Sequence, residues 1–105
     1  MPKSCKAIGE IDLASGPGFN LSLRAAIDRS EEAFVSVDCA GVTFMDSAGY
    51  HALTDATRYA AKRGHTLVIR NASRSCARLI ALCDWDHELR VECLPARSVQ
   101  GATIR

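Results

Sequence analysis

Phe44-Met45-Asp46-Ser47-Ala48-Gly49-Tyr50 marks the point where a strand hands over to a helix. Phe44 and Met45 close an apolar run, and Asp46 is a strong N-cap residue, because its carboxylate accepts from amides that lack an intrahelical partner. Behind it, Gly49, Ala52, Leu53, Ala56 and Ala60 fall at i, i+3, i+4, i+7 and i+11, a helical stripe, while His51, Asp55, Arg58 and Lys62 take the opposite face. Ser47 therefore stands at a helix N-terminus, where free N–H groups and the helix dipole favour an anion such as a phosphate on the serine. On local grounds alone Asp46-Ser47 is simply a cap. Two features add to that: Ala48 and Gly49 leave the hydroxyl open, and Tyr50-His51 is expected to project beside it as a contact surface.

Working outward, Lys62 and Arg63 followed by Gly64 end this helix, and Thr66-Leu67-Val68-Ile69-Arg70 is the next strand. Ser73 reads as the cap of a further helix, with Cys76, Leu79, Ile80 and Cys83 on one face, and Leu89 to Leu94 as a last short strand. Upstream, Ala33 to Cys39 is a short buried strand. Phe19, Leu23, Ala26 and Ile27 give one face of a helix ending near Ser30, and Cys5 to Asp12 alternates as a first strand. Ala14 to Gly18 reads as a loop. The order strand, helix, strand, helix, strand, helix, strand predicts an α/β domain with a mixed, mostly parallel four-stranded sheet and about three helices packed on it.

The 105 residues make one domain, with a core of about 5–94 and a tail over 95–105 that shows no amphipathic stripe. Hydrophobic residues at 48% and charged residues at 24% mark an ordinary globular chain with an aliphatic core. A net charge of +1 gives no pull toward nucleic acid or an anionic membrane. Neither a signal-peptide hydrophobic segment nor a membrane span is visible, so a cytoplasmic location is expected.

Ser47 lacks the company of a nucleophile: there is no G-x-S-x-G, and His51, His65 and His87 are badly placed to serve as its base. Gly16-Pro17-Gly18 lacks the lysine of a phosphate loop and reads as a turn. The five cysteines show no C-x-x-C pair and no histidine at zinc-ligand spacing, so neither metal nor cofactor is expected. Cys76 and Cys83 share a helix face, but seven residues of helix separate them by about 10 Å, too far for a disulfide. Cys39 reads as a small core residue. Together with Cys5 and Cys93 it also supports a weaker alternative, a redox-sensing regulator. Trp85 is expected to close the core at a helix end; exposed, it would be an interface anchor.

Gly9-Glu10-Ile11-Asp12, Val37-Asp38, Val42 to Gly49, Gly64 before a Leu-Val-Ile strand, and Arg78-Leu79-Ile80 together resemble the STAS domain of bacterial anti-sigma factor antagonists. The resemblance spans about residues 5–94, and Phe-Met-Asp-Ser-x-Gly is its most specific part. It implies that Ser47 is phosphorylated by a GHKL-type serine kinase that is also the anti-sigma factor. The unphosphorylated form binds that kinase and frees the sigma factor. It also implies partner contacts by Asp12, Asp46, Ser47, Ala48, Gly49 and Tyr50, and a chain that is a protein substrate rather than an enzyme. Relatives usually carry an extra N-terminal strand and a C-terminal helix, which are shortened here. That leaves apolar surface less covered and makes a homodimer or a stable partner an expectation. The alternative within the family is an accessory subunit of a lipid-transport ABC system, where the same loop docks on an ATPase.

Overall fold

A computed structural model describes residues 4–92 of the chain. The elements are β1 (Ser4–Ile11), α1 (Gly16–Arg29), β2 (Phe34–Met45), α2 (Ser47–Lys62), β3 (Thr66–Arg70), α3 (Arg74–Cys83) and β4 (Arg90–Glu92). The sheet order is β1-β2-β3-β4, and all three described pairings are parallel, so the expectation of a mixed sheet gives way to a parallel one. Each crossover steps to the next strand in the same direction, and right-handed crossovers then put the three helices on one face. Ala7, Ile11, Val35, Val37, Cys39, Leu67 and Ile69 point into that helical layer and are buried, whereas Lys6, Ile8, Phe34 and Arg70 are exposed. The core is aliphatic: Leu23, Ile27, Leu53, Leu67 and Ile69 are its largest fully buried side chains.

Two elements run longer than the sequence suggests. β2 does not stop at Cys39 but continues through Ala40-Gly41 to Met45, because β2 takes an extra residue between Lys6 and Ile8 and another between Gly9 and Glu10 of its partner. Those bulges bend the pairing, and Gly9, with φ of 85°, adopts a left-handed conformation that other residues resist. α1 starts at Gly16, so the expected loop at Ala14 to Gly18 shrinks to its first half. Pro17 is tolerated because its missing N–H lies in the first turn, where it would have had no helical partner. The last strand, expected over Leu89 to Leu94, is seen as Arg90–Glu92; Cys93, Leu94 and the 95–105 tail lie outside the described residues.

The consequence for function is local. The extended β2 carries Met45 level with Ile11, where the Asp46 N–H donates to the Ile11 carbonyl at 3.2 Å. The Asp12 turn and the start of α2 thus meet at the same end of the sheet.

Candidate functional site

The start of α2 is built by Asp46. Its backbone is extended, and its Oδ1 accepts from the N–H groups of Ala48 at 2.9 Å and Gly49 at 3.4 Å, while its carbonyl takes the Tyr50 N–H at 3.1 Å. The cap that the sequence suggests is present, and it changes the reading of the site. Two of the amides that would face a phosphate, those of Ala48 and Gly49, are already taken by the carboxylate, so a phosphate on Ser47 would find a depleted local cradle. It would stand outward, next to a like charge. Ser47 itself is exposed at the first helical position, and no described side chain bonds its hydroxyl.

Gly49 is buried where two strand ends and the helix converge. A Cβ there would lie 2.6 Å from Met45 Cγ and 3.0 Å from both Ile11 Cγ2 and the Ile11 carbonyl oxygen. Met45 is flexible, but the backbone of β1 is not, so only glycine lets α2 approach this closely. Gly49 is thus a packing residue of this junction.

Tyr50 also departs from expectation. Its ring is buried instead of projecting beside Ser47, and its hydroxyl donates to Asp84 Oδ1 at 2.7 Å. Asp84 is buried too, and it additionally accepts from the N–H groups of Glu88 and Leu89, each at 3.1 Å. Burial first, then the hydrogen bond to the neighbouring carboxylate, pushes the Tyr50 hydroxyl up to about 12. His51 takes the exposed position, its ring edge-on to Tyr50.

Asp12 is held by its own turn: Oδ1 accepts from the Ala14 and Ser15 N–H groups at 3.0 Å and from Ser15 Oγ at 3.1 Å. These donors, Ser15 foremost, stabilise the charged form and lower its pKa. Ser15 Oγ in turn donates to the Glu10 carbonyl at 2.8 Å, which ties the turn to β1. Between this turn and α2 lies a groove of about 350 Å³, lined by apolar Leu13, Pro17, Ala48 and Ala52 and by polar His51 and Asp55. Leu13 is 80% exposed. The groove was not legible in the sequence, since its walls come from segments about 30 residues apart; the exposed apolar Leu13 beside Asp12 was the one local hint.

The other singled-out residues fall elsewhere. Cys39 and Cys76 are both fully buried in the core, Cys76 in the first turn of α3. The Cys39 thiol is pushed up by its hydrogen bond to Cys76 and by burial, and Cys5 by burial. A raised thiol pKa lowers the thiolate fraction, which works against the redox alternative at these two positions. Cys93 lies outside the described residues. Trp85 does not close the core: it is 84% exposed. Among the described residues no three His, Cys, Asp or Glu side chains gather as a metal site, and no helix is long and apolar enough to cross a membrane.

No curated protein matches the chain in sequence. Solved structures do match in shape. The anti-sigma factor antagonist SpoIIAA in its unphosphorylated form is similar with a TM-score of 0.67 at 13% identity, covering 100% of this chain and 93% of that one. An anti-sigma factor antagonist from Mycobacterium paratuberculosis gives 0.71 at 19% identity, over 91% of this chain and 80% of that one. The STAS domain of a SulP transporter from Vibrio cholerae gives 0.65 at 16% identity, over 95% and 79%. At these identities the likeness is one of fold. The sequence model of the STAS domain matches residues 5–100, nearly the whole chain, and the chain therefore belongs to the STAS domain family.

Proposed function

We propose that the protein is an anti-sigma factor antagonist, acting in the cytoplasm as the docking substrate of a GHKL-type anti-sigma serine kinase, with Ser47 as phosphoacceptor. The observation that carries this reading is the pairing of an exposed Ser47 hydroxyl, bonded by none of the described residues, with a helix start whose Ala48 and Gly49 amides Asp46 already takes. An acceptor hydroxyl has to be reachable, and its phosphate has to change what the partner meets. Here phosphorylation adds about 1.5 to 2 negative charges beside Asp46, whose carboxylate already takes the Ala48 and Gly49 amides. A partner that had buried this corner would face both repulsion and desolvation, and would let go.

The groove beside Ser47 supplies the remaining contact surface. Leu13, Pro17, Ala48 and Ala52 offer apolar area, and the Asp12 turn sets one wall. Asp12 acts through the rigidity of that turn and through the carboxylate oxygen that the turn does not use. Gly49 and Tyr50 support the corner from beneath. The solved anti-sigma factor antagonists share the fold on which this arrangement is built.

The test is incubation of the full chain with GHKL-type serine kinases of the same genome and ATP, followed by mass-spectrometric mapping. Phosphate on Ser47, its absence in Ser47→Ala, and loss of kinase binding in Ser47→Asp are expected. Absence of phosphate from Ser47, together with equal binding by both variants, would falsify the switch. Binding to a transporter or its ATPase regardless of Ser47→Asp would favour the accessory-subunit alternative.

A further inference from the structure

α3 carries a second exposed face whose chemistry the Ser47 corner does not use. Arg74, Arg78, Leu82 and Trp85 follow one another at i, i+4, i+8 and i+11, a single row along the helix and its C-terminal turn. All four are exposed, Leu82 at 65% and Trp85 at 84%, while the opposite side of α3 buries Cys76 and Ile80. Ala77 and Ala81 lie beside the row and are exposed as well, so the face is shallow between its arginine end and its tryptophan end.

The charges on this row are not there for the helix. Arg74 occupies the first helical position, where the positive end of the dipole disfavours cations, and Arg78 follows one turn later. α3 contains no acidic residue, and among the described residues neither arginine enters an ion pair. The tryptophan is not loose either. Its indole N–H donates to the Leu82 carbonyl, and its own N–H donates to the Cys83 carbonyl at 3.0 Å. The turn beneath it is pinned by Asp84, which holds the Glu88 and Leu89 amides. A large ring fixed in solvent loses little further freedom on binding, the property of a preorganised anchor.

We propose that this face docks an acidic amphipathic helix of a protein partner, whose apolar stripe covers Leu82 and Trp85 and whose carboxylates pair with Arg74 and Arg78. Ala77 and Ala81 admit the partner backbone between the two ends, as small residues do where helices approach closely. Asp86, the exposed residue that follows Trp85, opposes an anionic lipid surface and so favours a protein, whereas Glu88 is paired with Arg58. The site is separate from the Ser47 reading, although one buried hydrogen bond, Tyr50 to Asp84, joins its turn to the first turn of α2.

Trp85 is the only tryptophan of the chain, so the protein carries its own reporter. The probe is a synthetic tryptophan-free helix with leucines at i, i+4 and i+7 flanked by glutamates; its counterpart has lysines in place of the glutamates. Titration of the full chain with the glutamate helix is expected to give a saturable blue shift of Trp85 emission that weakens with salt, and the lysine helix none. The Arg74→Glu, Arg78→Glu double variant is expected to bind the glutamate helix at least about 10-fold more weakly and to gain binding to the lysine helix. Both positions are exposed, and circular dichroism checks that the variant stays folded. Ser47→Ala leaves the titration unchanged, so failure of the phosphorylation reading would not touch this result. A silent Trp85, equal response to both helices, response to phosphatidylglycerol vesicles alone, or a shift that tracks self-association by ultracentrifugation overturns the proposal.

Discussion

Tyr50 and Trp85 stand on either side of the same carboxylate and have opposite fates. Tyr50 follows an open serine and was expected in solvent, yet it is buried with its hydroxyl on Asp84; Trp85 follows Asp84 directly and was expected in the core, yet it lies in water. Ring size does not separate them. What does is the destination of the polar atom: the Tyr50 hydroxyl finds a buried acceptor, which permits the whole ring to leave water. The Trp85 indole N–H finds the carbonyl of Leu82 in the last turn of the preceding helix, which turns the ring outward. A single acidic side chain therefore organises one aromatic as core and leaves the other as surface.

The largest break in that comparison comes from truncating the buried member. Tyr50→Ala removes a buried ring and orphans one bond of Asp84, and a loss of about 3–5 kcal/mol in urea unfolding is expected. The hydroxyl can be probed without truncation. Because the folded state holds the Tyr50 proton to about 12 while an unfolded tyrosine releases it near 10, the folded state binds more protons between those values. Its contribution is complete below about pH 10 and is lost as pH rises toward 12, so stability falls over that window. In Tyr50→Phe that part of the alkaline loss is expected to vanish; an unchanged alkaline limb would mean that the hydroxyl is not held by Asp84.

Next in size is Gly49, the residue that lets the helix bearing Tyr50 settle onto β1 and β2. Gly49→Ala is expected to cost about 1–3 kcal/mol, near the upper end, since the added methyl meets the Ile11 carbonyl, which cannot rotate away. A neutral result would show that α2 is free to shift outward. Asp46→Ala follows at about 1 kcal/mol, the usual loss for removing an N-cap acceptor, read as a lower urea midpoint with unchanged slope.

Much of this was legible because it is local. The strand and helix order, the Asp46 and Ser73 caps and the left-handed stop at Gly64, with φ of 80°, each follow from a few consecutive residues. What was missed depends on partners far along the chain. Asp84 is 34 residues from Tyr50, and nothing around either residue announces the other. Cys39 and Cys76 meet across β2 and α3, whereas the sequence invites comparison of Cys76 with Cys83 on its own helix. The extension of β2 through Ala40-Gly41 is likewise set by the pairing with β1, whose bulges absorb residues that otherwise look like a strand end.

Trp85→Ala is the smallest effect and the sharpest check of the contrast. An aromatic that covers core surface costs several kcal/mol to remove, whereas one in water changes stability by no more than about 0.5 kcal/mol. With Trp85 84% exposed, the second figure is expected, the more so because the backbone bonds of its turn belong to Asp84 and survive the substitution. Trp85 fluorescence disappears with the residue, so unfolding is followed by circular dichroism in both proteins. A loss above about 1 kcal/mol would place the ring over apolar surface in solution and erase the distinction from Tyr50. A loss within the smaller limit leaves a large aromatic that does not hold the fold together, and its exposure then has to be explained by what the protein meets.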